Sequence, residues 1–285
     1  RIDKLIRPAK DLSESEKEQY IPDFICENVH YDKLKKPYSH EIIGPLGQGV
    51  GVCEGIAKTV KCLCDALGIW CMIALSGNNP EKGIKYRHTW NIVRIGKSYY
   101  HLDATFDNSL GRNYSHASNT ASDSGNAGAT HGDIAQHPIP GNKKSGKKGS
   151  ASTRIRYDYF NLDDKQIFRD HEPLIAPAPA CTDSAHSYYK EKKLSFAKTE
   201  DVYRRALQAA KKEKPLTFHW KGGYLTRSVL DELLAQIAKA GTERQKMPCI
   251  SLNWPQAVLH VEYVANPQQA TIVMEQANEG EETDV

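Results

Sequence analysis

The sequence lacks features that would each have pointed to a class of protein. No apolar run approaches the roughly 20 residues needed to cross a bilayer, so no integral membrane segment is predicted in this chain. The formal net charge is only +3, and residues 112–153 account for it with five basic against two acidic residues. The remainder is close to neutral and offers no basic face for nucleic acid.

Cysteine is sparse and irregularly spaced: the chain has 7, an odd number, and no Cys-x-x-Cys pair. This pattern favours reduced thiols over a disulfide framework and therefore a cytoplasmic protein. Because the chain begins at Arg1, an upstream segment can have been removed, and a secreted or cell-envelope location stays open.

No metal site and no cofactor are predicted. Cys53, His88, His101 and Asp103 are zinc ligand types, but their spacing matches no zinc motif. Cys62-Leu-Cys64 adds two thiols, which lie two positions apart on a predicted helix. Their side chains would point ~200° apart and cannot share one ion.

Composition indicates two domains. A core over 1–195 is interrupted by an insertion at 112–153, rich in Ser, Gly, Asn and Lys and predicted to be disordered. A small α/β domain follows at 196–278 and an acidic tail at 279–285. Helices are predicted over 199–212 and 226–241, with strands over 216–220, 250–254, 259–263 and 271–274. No chemical motif appears in this second domain, so no role is predicted for it.

Near the N-terminus, Ser13 and Glu16 fit the capping box of a first helix. Pro22 suits the start of a second short helix, because proline is well tolerated in a first helical turn.

The stretch Gly49-Val-Gly-Val-Cys53-Glu-Gly55 presents a candidate nucleophile. Downstream of it, apolar residues recur with helical spacing until Gly68, which predicts an amphipathic helix. The glycine-rich run at 47–51 is costly to make helical, so Cys53 is expected to open the first turn. At that position the helix dipole favours a thiolate.

A base and its partner follow in chain order. His88 lies in the predicted strand that continues through Trp90 and Asn91, and Asp103 ends the returning strand after a turn at 96–97. Side chains alternate along a strand, so such a hairpin can bring His88 beside Asp103.

Together, these sequence motifs resemble the transglutaminase-like superfamily, specifically its bacterial branch with a papain-type core. The likeness rests on the run into Cys-Glu-Gly, on His-Thr-Trp-Asn and on Tyr-x-x-Asp-Ala-Thr-Phe-Asp; it covers about residues 20–110 and resumes at 157–162. The resemblance implies an α+β fold in which the cysteine helix packs on an antiparallel sheet bearing the histidine and the aspartate. A small C-terminal α/β appendage is expected beside it. By resemblance, Cys53 is the nucleophile, His88 the general base and acid, and Asp103 the group that orients the imidazole.

Several residues are candidates for a supporting role. Gln48 and the backbone N–H of Cys53 are candidate donors to an oxyanion. Trp90 is expected either to pack near His88 and exclude water or to be an ordinary core residue. Asn91 and Glu54 are expected either to support the site through hydrogen bonds or loop capping or to be structural only.

The implied reaction is acyl transfer from a peptide or protein amide through a thioester. Water as the acceptor makes the protein a peptidase, the outcome favoured for a bacterial member, whereas an amine acceptor makes it a cross-linking transamidase. A noncatalytic binding or scaffold protein on the same fold is the alternative from another class. The oligomeric state is not predicted.

Overall fold

The computed structural model describes residues 2–84, 87–117, 155–265 and 272–275. Among these residues, one compact unit runs through Asp183 and another begins at Ser184. The division falls ahead of the predicted boundary at residue 195, because Ser195 already pairs with His219 in the sheet of the second unit. The predicted acidic tail, 279–285, lies outside the described residues.

The first unit consists of helices around a four-stranded sheet. Its helices are α1 (Ile2–Ile6), α2 (Glu14–Asn28), α3 (Cys53–Leu67), α4 (Ala104–Ala117) and α5 (Asp164–Ile167). Its strands are β1 (His30–Tyr31), β2 (Val50–Gly51), β3 (Cys71–Leu75), β4 (Thr89–Ile95), β5 (Ser98–Leu102) and β6 (Phe160–Leu162). Helix α4 continues to Ala117, inside the predicted insertion, and 118–153 of that segment lie outside the described residues.

The sheet has the order β3-β4-β5-β6, and every neighbouring pair is antiparallel. Asn91 lies at its centre, opposite Ile73 on one side and Leu102 on the other. Helix α3, which begins at Cys53, packs against β4. This arrangement confirms the predicted α+β fold, with the cysteine helix on an antiparallel sheet.

The N-terminal region confirms one prediction and corrects another. Ser13 caps α2 in a capping box with Glu16. Pro22, however, lies inside α2 and does not begin a second helix. Glu18, Ile21 and Ile25 of this helix are buried, so its packing against the core compensates for the hydrogen bond that proline cannot donate.

The glycine-rich stretch before Cys53 also differs from the prediction. Gly44–Gln48 forms a single turn of π-helix, which ends at Gly49 with a φ of 68°. The expectation that this run is wholly non-helical was therefore wrong for Gly47. A glycine at residue 49 accepts the left-handed backbone without the steric cost that a Cβ imposes, and the chain then enters β2.

The second unit is a five-stranded sheet packed with helices. Its helices are α6 (Tyr188–Glu191), α7 (Thr199–Lys212) and α8 (Arg227–Thr242), and its strands are β7 (Ser195–Phe196), β8 (Leu216–Trp220), β9 (Met247–Asn253), β10 (Val258–Val264) and β11 (Ile272–Glu275). The strand order is β11-β9-β10-β8-β7. Phe218, Leu233, Ile237 and Leu259 are fully buried in its core. The small α/β appendage is thus confirmed.

All seven cysteines lie among the described residues, and none of them forms a disulfide. Within the parts of the chain that the structure describes, no helix combines the length and the apolar character needed to span a membrane.

Gly55 allows a loop to lie directly against the first turn of α3. A Cβ at this position would come within 2.1 Å of the backbone oxygen of Ser39. That same oxygen accepts a hydrogen bond from the N–H of Val52 at 3.1 Å. The contact fixes the start of α3, and with it Cys53, against the loop that contains Ser39.

We expect Gly55→Ala to destabilise the start of α3 by about 1–3 kcal/mol, because backbone cannot move aside as a flexible side chain can. Hydrogen exchange of the α3 amides measures the loss. Gly77→Ala is the matched control, since its Cβ would meet only the side-chain Cγ2 of Ile175 at 3.3 Å. Equal protection of α3 in both variants would contradict the role assigned to Gly55.

Candidate active site

Cys53 begins α3 and opens onto a cavity of about 490 Å³. The residue is only 7% exposed. Val52 precedes it in extended conformation, and the parallel pairing of β1 with β2 holds this approach in place. Arg87 and Thr89, the residues on either side of His88, line the same cavity. The cavity therefore lies between the cysteine helix and the segment that contains His88 and the start of β4.

His88 and Asp103 are joined directly. Nε2 of His88 lies 2.5 Å from Oδ2 of Asp103, and both side chains are buried. His88 immediately precedes β4 and Asp103 immediately follows β5, so the antiparallel pairing of these strands brings the two residues together. A carboxylate only accepts hydrogen bonds, so Nε2 of His88 carries the proton. Nδ1 of His88 is then the nitrogen with a lone pair that can accept a proton.

Asp103 is the most heavily hydrogen-bonded group of the site. Its Oδ1 accepts the backbone N–H groups of Thr105 at 2.9 Å and Phe106 at 3.0 Å, so it caps the start of α4. Its Oδ2 receives His88 and also His171. Burial alone would raise the pKa of Asp103, but the charge of His88 and the hydrogen bonds of His171 and His88 hold it well below its ordinary range. Asp103 is therefore ionised.

His171 is the residue that the sequence did not single out. It lies 68 positions after Asp103, yet its Nε2 is 2.9 Å from Asp103 Oδ2. The residues that follow His171 are attached to the end of β3. There Leu174 bridges to Ser76, and the N–H of Ile175 donates to the backbone oxygen of Leu75. No spacing rule predicts such a contact, because it depends on a loop crossing the sheet from outside the hairpin.

Aromatic rings enclose His88. Trp90 stacks on it with ring centroids 5.5 Å apart, and Phe106 lies at 4.7 Å in a tilted arrangement. Trp90 is 1% exposed, in agreement with its expected place beside His88. The rings separate the His88–Asp103 pair from bulk water and strengthen its electrostatic interaction.

A second hydrogen-bonded chain runs through the same strands. The indole N–H of Trp90 donates to Nδ1 of His101 at 3.0 Å, and Nε2 of His101 faces Asp164 at 2.8 Å. An indole only donates, so Nδ1 of His101 accepts and its proton is on Nε2. Burial lowers the pKa of His101 more than Asp164 raises it, which agrees with a neutral ring. The chain fixes the orientation of Trp90.

The supporting candidates lie in different places. Asn91 is buried and donates from Nδ2 to the backbone oxygen of Ala57 at 3.0 Å, so it ties β4 to α3 one turn beyond Cys53. Glu54 lines the cavity and bonds Lys58 and His40 at its surface. Gln48 is exposed at the end of the π-helical turn and is not among the described residues that line the cavity. Its oxyanion role stays a prediction.

Part of the first unit is similar in sequence to a known protein family. Residues 3–104 match the sequence model of the Transglutaminase-like superfamily. The match covers about a third of this chain and lies within the first unit. The match spans Cys53, His88 and Asp103, whereas His171 lies outside it.

Two solved structures are similar to this chain over part of its length. One is a transglutaminase (TGase), with 17% identity, a TM-score of 0.31 and coverage of 36% of this chain and 30% of the other. The other is a candidate cysteine protease from Cytophaga hutchinsonii, with 24% identity, a TM-score of 0.30 and coverage of 36% and 37%. The chain thus spans about a third of each of these structures. No curated protein matched the chain.

Among the residues that the structure describes, two groups of side chains in the first unit have the composition of a metal site: His88 with Asp103 and His171, and His101 with Asp164 and Cys181. In the first group, Nε2 of His88 and Oδ2 of Asp103 are 2.5 Å apart, which is the distance of a direct hydrogen bond. An ion bound to both atoms at about 2.0–2.2 Å would hold them farther apart. In the second, ligation through Nε2 would put a proton on Nδ1 of His101, facing the indole N–H of Trp90. Both arrangements fit hydrogen bonding better than metal.

We expect Asp103→Asn to retain the cap of α4 but to reverse the tautomer of His88. The amide oxygen can still accept from Thr105 and Phe106, whereas the amide N–H₂ would face Nε2 of His88 and drive its proton to Nδ1. Nitrogen-15 NMR of the histidine rings measures the tautomer, and circular dichroism checks the fold.

Asp103→Ala is the comparison variant. Unlike Asp103→Asn, it removes the cap of α4, and loss of the cap should lower the free energy of unfolding by about 1 kcal/mol. If neutral His88 still carries its proton on Nε2 in Asp103→Asn, Asp103 does not set the tautomer.

Proposed function

We propose that this protein catalyses acyl transfer from a peptide or protein amide, with Cys53 as nucleophile, His88 as general base and acid, and Asp103 as the group that orients His88. The observation that carries the proposal is the position of Cys53 at the start of α3, on a cavity also lined by both chain neighbours of His88. The buried His88–Asp103 hydrogen bond supports it.

The chemistry proceeds in two halves. Nδ1 of His88 takes the thiol proton, and the sulfur of Cys53 attacks the amide carbon. The carbon–nitrogen bond then breaks, the amine leaves with the proton from His88, and a thioester to Cys53 remains. In the second half, His88 takes a proton from the acceptor, which attacks the thioester, and the thiol is restored.

The helix start contributes to both halves. The first turn of α3 directs backbone N–H groups towards the end of the helix where Cys53 lies, and these stabilise both a thiolate and the oxyanion that forms on attack. Asp103 stays ionised and keeps the proton of neutral His88 on Nε2, so that Nδ1 is the working nitrogen. Trp90 and Phe106 hold the ring from two neighbouring elements.

We expect Cys53 to react with iodoacetamide well below the ordinary thiol pKa of about 8.5, and the reactivity at low pH to disappear in His88→Ala. Intact mass and peptide mapping against pH measure the rate at each cysteine.

Cys62 and Cys181 serve as internal references in the same labelling experiment. Cys62 is half-buried on the same helix, whereas burial raises the pKa of Cys181 to about 12, so that thiol should stay unlabelled. If Cys53 labels no faster than Cys62 below pH 7, a noncatalytic binding protein is the better interpretation.

We expect hydrolysis to dominate over amine transfer. Casein incubated with the protein and a fluorescent primary amine separates the two outcomes: new amino termini report hydrolysis, and covalent fluorescence on casein reports transamidation. Cys53→Ala should abolish both signals. Fluorescent casein without cleavage would identify the protein as a transamidase and not a peptidase. The absence of both signals at every pH would be evidence against catalysis on this protein substrate.

A further inference from the structure

His171 lies between two carboxylates in the first unit. Its Nε2 is 2.9 Å from Oδ2 of Asp103, and its Nδ1 is 2.9 Å from Oδ1 of Asp170. The second oxygen of Asp170 accepts the hydroxyl proton of Tyr159 at 2.6 Å. His171 therefore joins the candidate catalytic pair to a further acid and a phenol.

This geometry determines the protonation of His171. A neutral imidazole has one N–H, so one of its nitrogens would direct a lone pair at a carboxylate oxygen 2.9 Å away. Asp103 is fully buried and accepts four donors as an anion, and Asp170 retains some solvent contact with a side chain 16% exposed. Both contacts are satisfied together only when both nitrogens of His171 carry protons.

The titratable groups among the described residues that act on this ring are Asp103, Asp170, His88, Tyr159 and, more distantly, His101. Burial lowers the pKa of His171, but its hydrogen bonds to Asp103 and Asp170 outweigh burial and raise the pKa above the ordinary value. The positive ring of His171 then lies with its centroid 5.2 Å from that of His88.

We propose that His171 is a positioning residue with a fixed positive charge, which shares Oδ2 of Asp103 with His88 and opposes the protonation of His88. In a pair with Asp103 alone, His88 would feel the full negative charge of the carboxylate and hold a proton strongly. The charge of His171 offsets part of that attraction. His88 can then take a proton from Cys53 and release it to the leaving amine near neutral pH. Only this last consequence rests on the proposed function.

The test uses histidine-ring NMR in a Cys53→Ala background, where no thiol complicates the titration of His88. We expect both ring nitrogens of His171 to be protonated from pH 5 to pH 8. A neutral His171 at pH 7 would overturn the proposal without any mutation in its vicinity.

His171→Gln tests the effect on His88. The glutamine side-chain amide can still donate to Asp103 but carries no charge. We expect the titration midpoint of His88 to rise by about one pH unit, the lower end of the shift that a like charge within ~4–6 Å produces. A merely structural role predicts the opposite sign, because a displaced Asp103 would stabilise the protonated His88 less. An unchanged or lowered midpoint would overturn the proposal.

Two further variants complete the experiment. Asp170→Asn removes the second carboxylate; it should lower the titration midpoint of His171 into the measurable range, and it replaces His171→Gln if that variant does not fold. Once His171 has lost its charge in Asp170→Asn, an unchanged titration midpoint of His88 would contradict the proposal. His186→Gln, a change of a half-exposed histidine of the second unit, should leave the midpoint of His88 unchanged.

Failure of the proposed function would give a different result from failure of this inference. It would appear as ordinary alkylation of Cys53 in the unmodified protein, whereas the titrations of His88 and His171 do not require Cys53. A shifted His88 midpoint with an unreactive Cys53 would support the inference and count against the enzyme.

Discussion

One buried carboxylate holds the site together. Asp103 has no exposed surface and balances its charge with two backbone N–H groups and two imidazoles. Burying a charge is costly unless it is paired and hydrogen-bonded, so each of these partners must stay in place. The cap of α4, the end of β5, the strand of His88 and the loop of His171 all meet at Asp103. Order at the candidate site and stability of the first unit therefore depend on the same contacts.

A different set of contacts holds Cys53 in place. Cys53 begins a helix that is clamped at one end by the contact of Gly55 with Ser39 and tied one turn later by Asn91 to strand β4. These contacts are buried and involve backbone groups, so they tolerate little movement. The candidate nucleophile on the helix can then keep a fixed position relative to the sheet, as the proposed acyl transfer requires of its reacting groups.

Local patterns predicted much of this structure. The apolar spacing after Cys53 located α3, and alternation located the hairpin that brings His88 to Asp103. The capping box at Ser13 marked the start of α2. In the second unit, the helices and strands lie close to their predicted positions. Two predictions from local patterns were wrong. The π-helical turn at 44–48 and the position of Pro22 inside a helix depend on packing, which outweighed the propensities of glycine and proline.

By itself, the sequence located most of the elements around Cys53, His88 and Asp103, because periodicity, caps and turns are properties of neighbouring residues. The roles of these three residues came from the resemblance of their motifs to a known family. Only the tertiary structure decided that His171 contacts Asp103, that Trp90 bonds His101, and that Gln48 lies outside the residues lining the cavity. Those contacts join segments distant in the chain through the packing of loops on a sheet, and no local pattern encodes that packing. The charge balance at Asp103 is therefore a tertiary property of this protein.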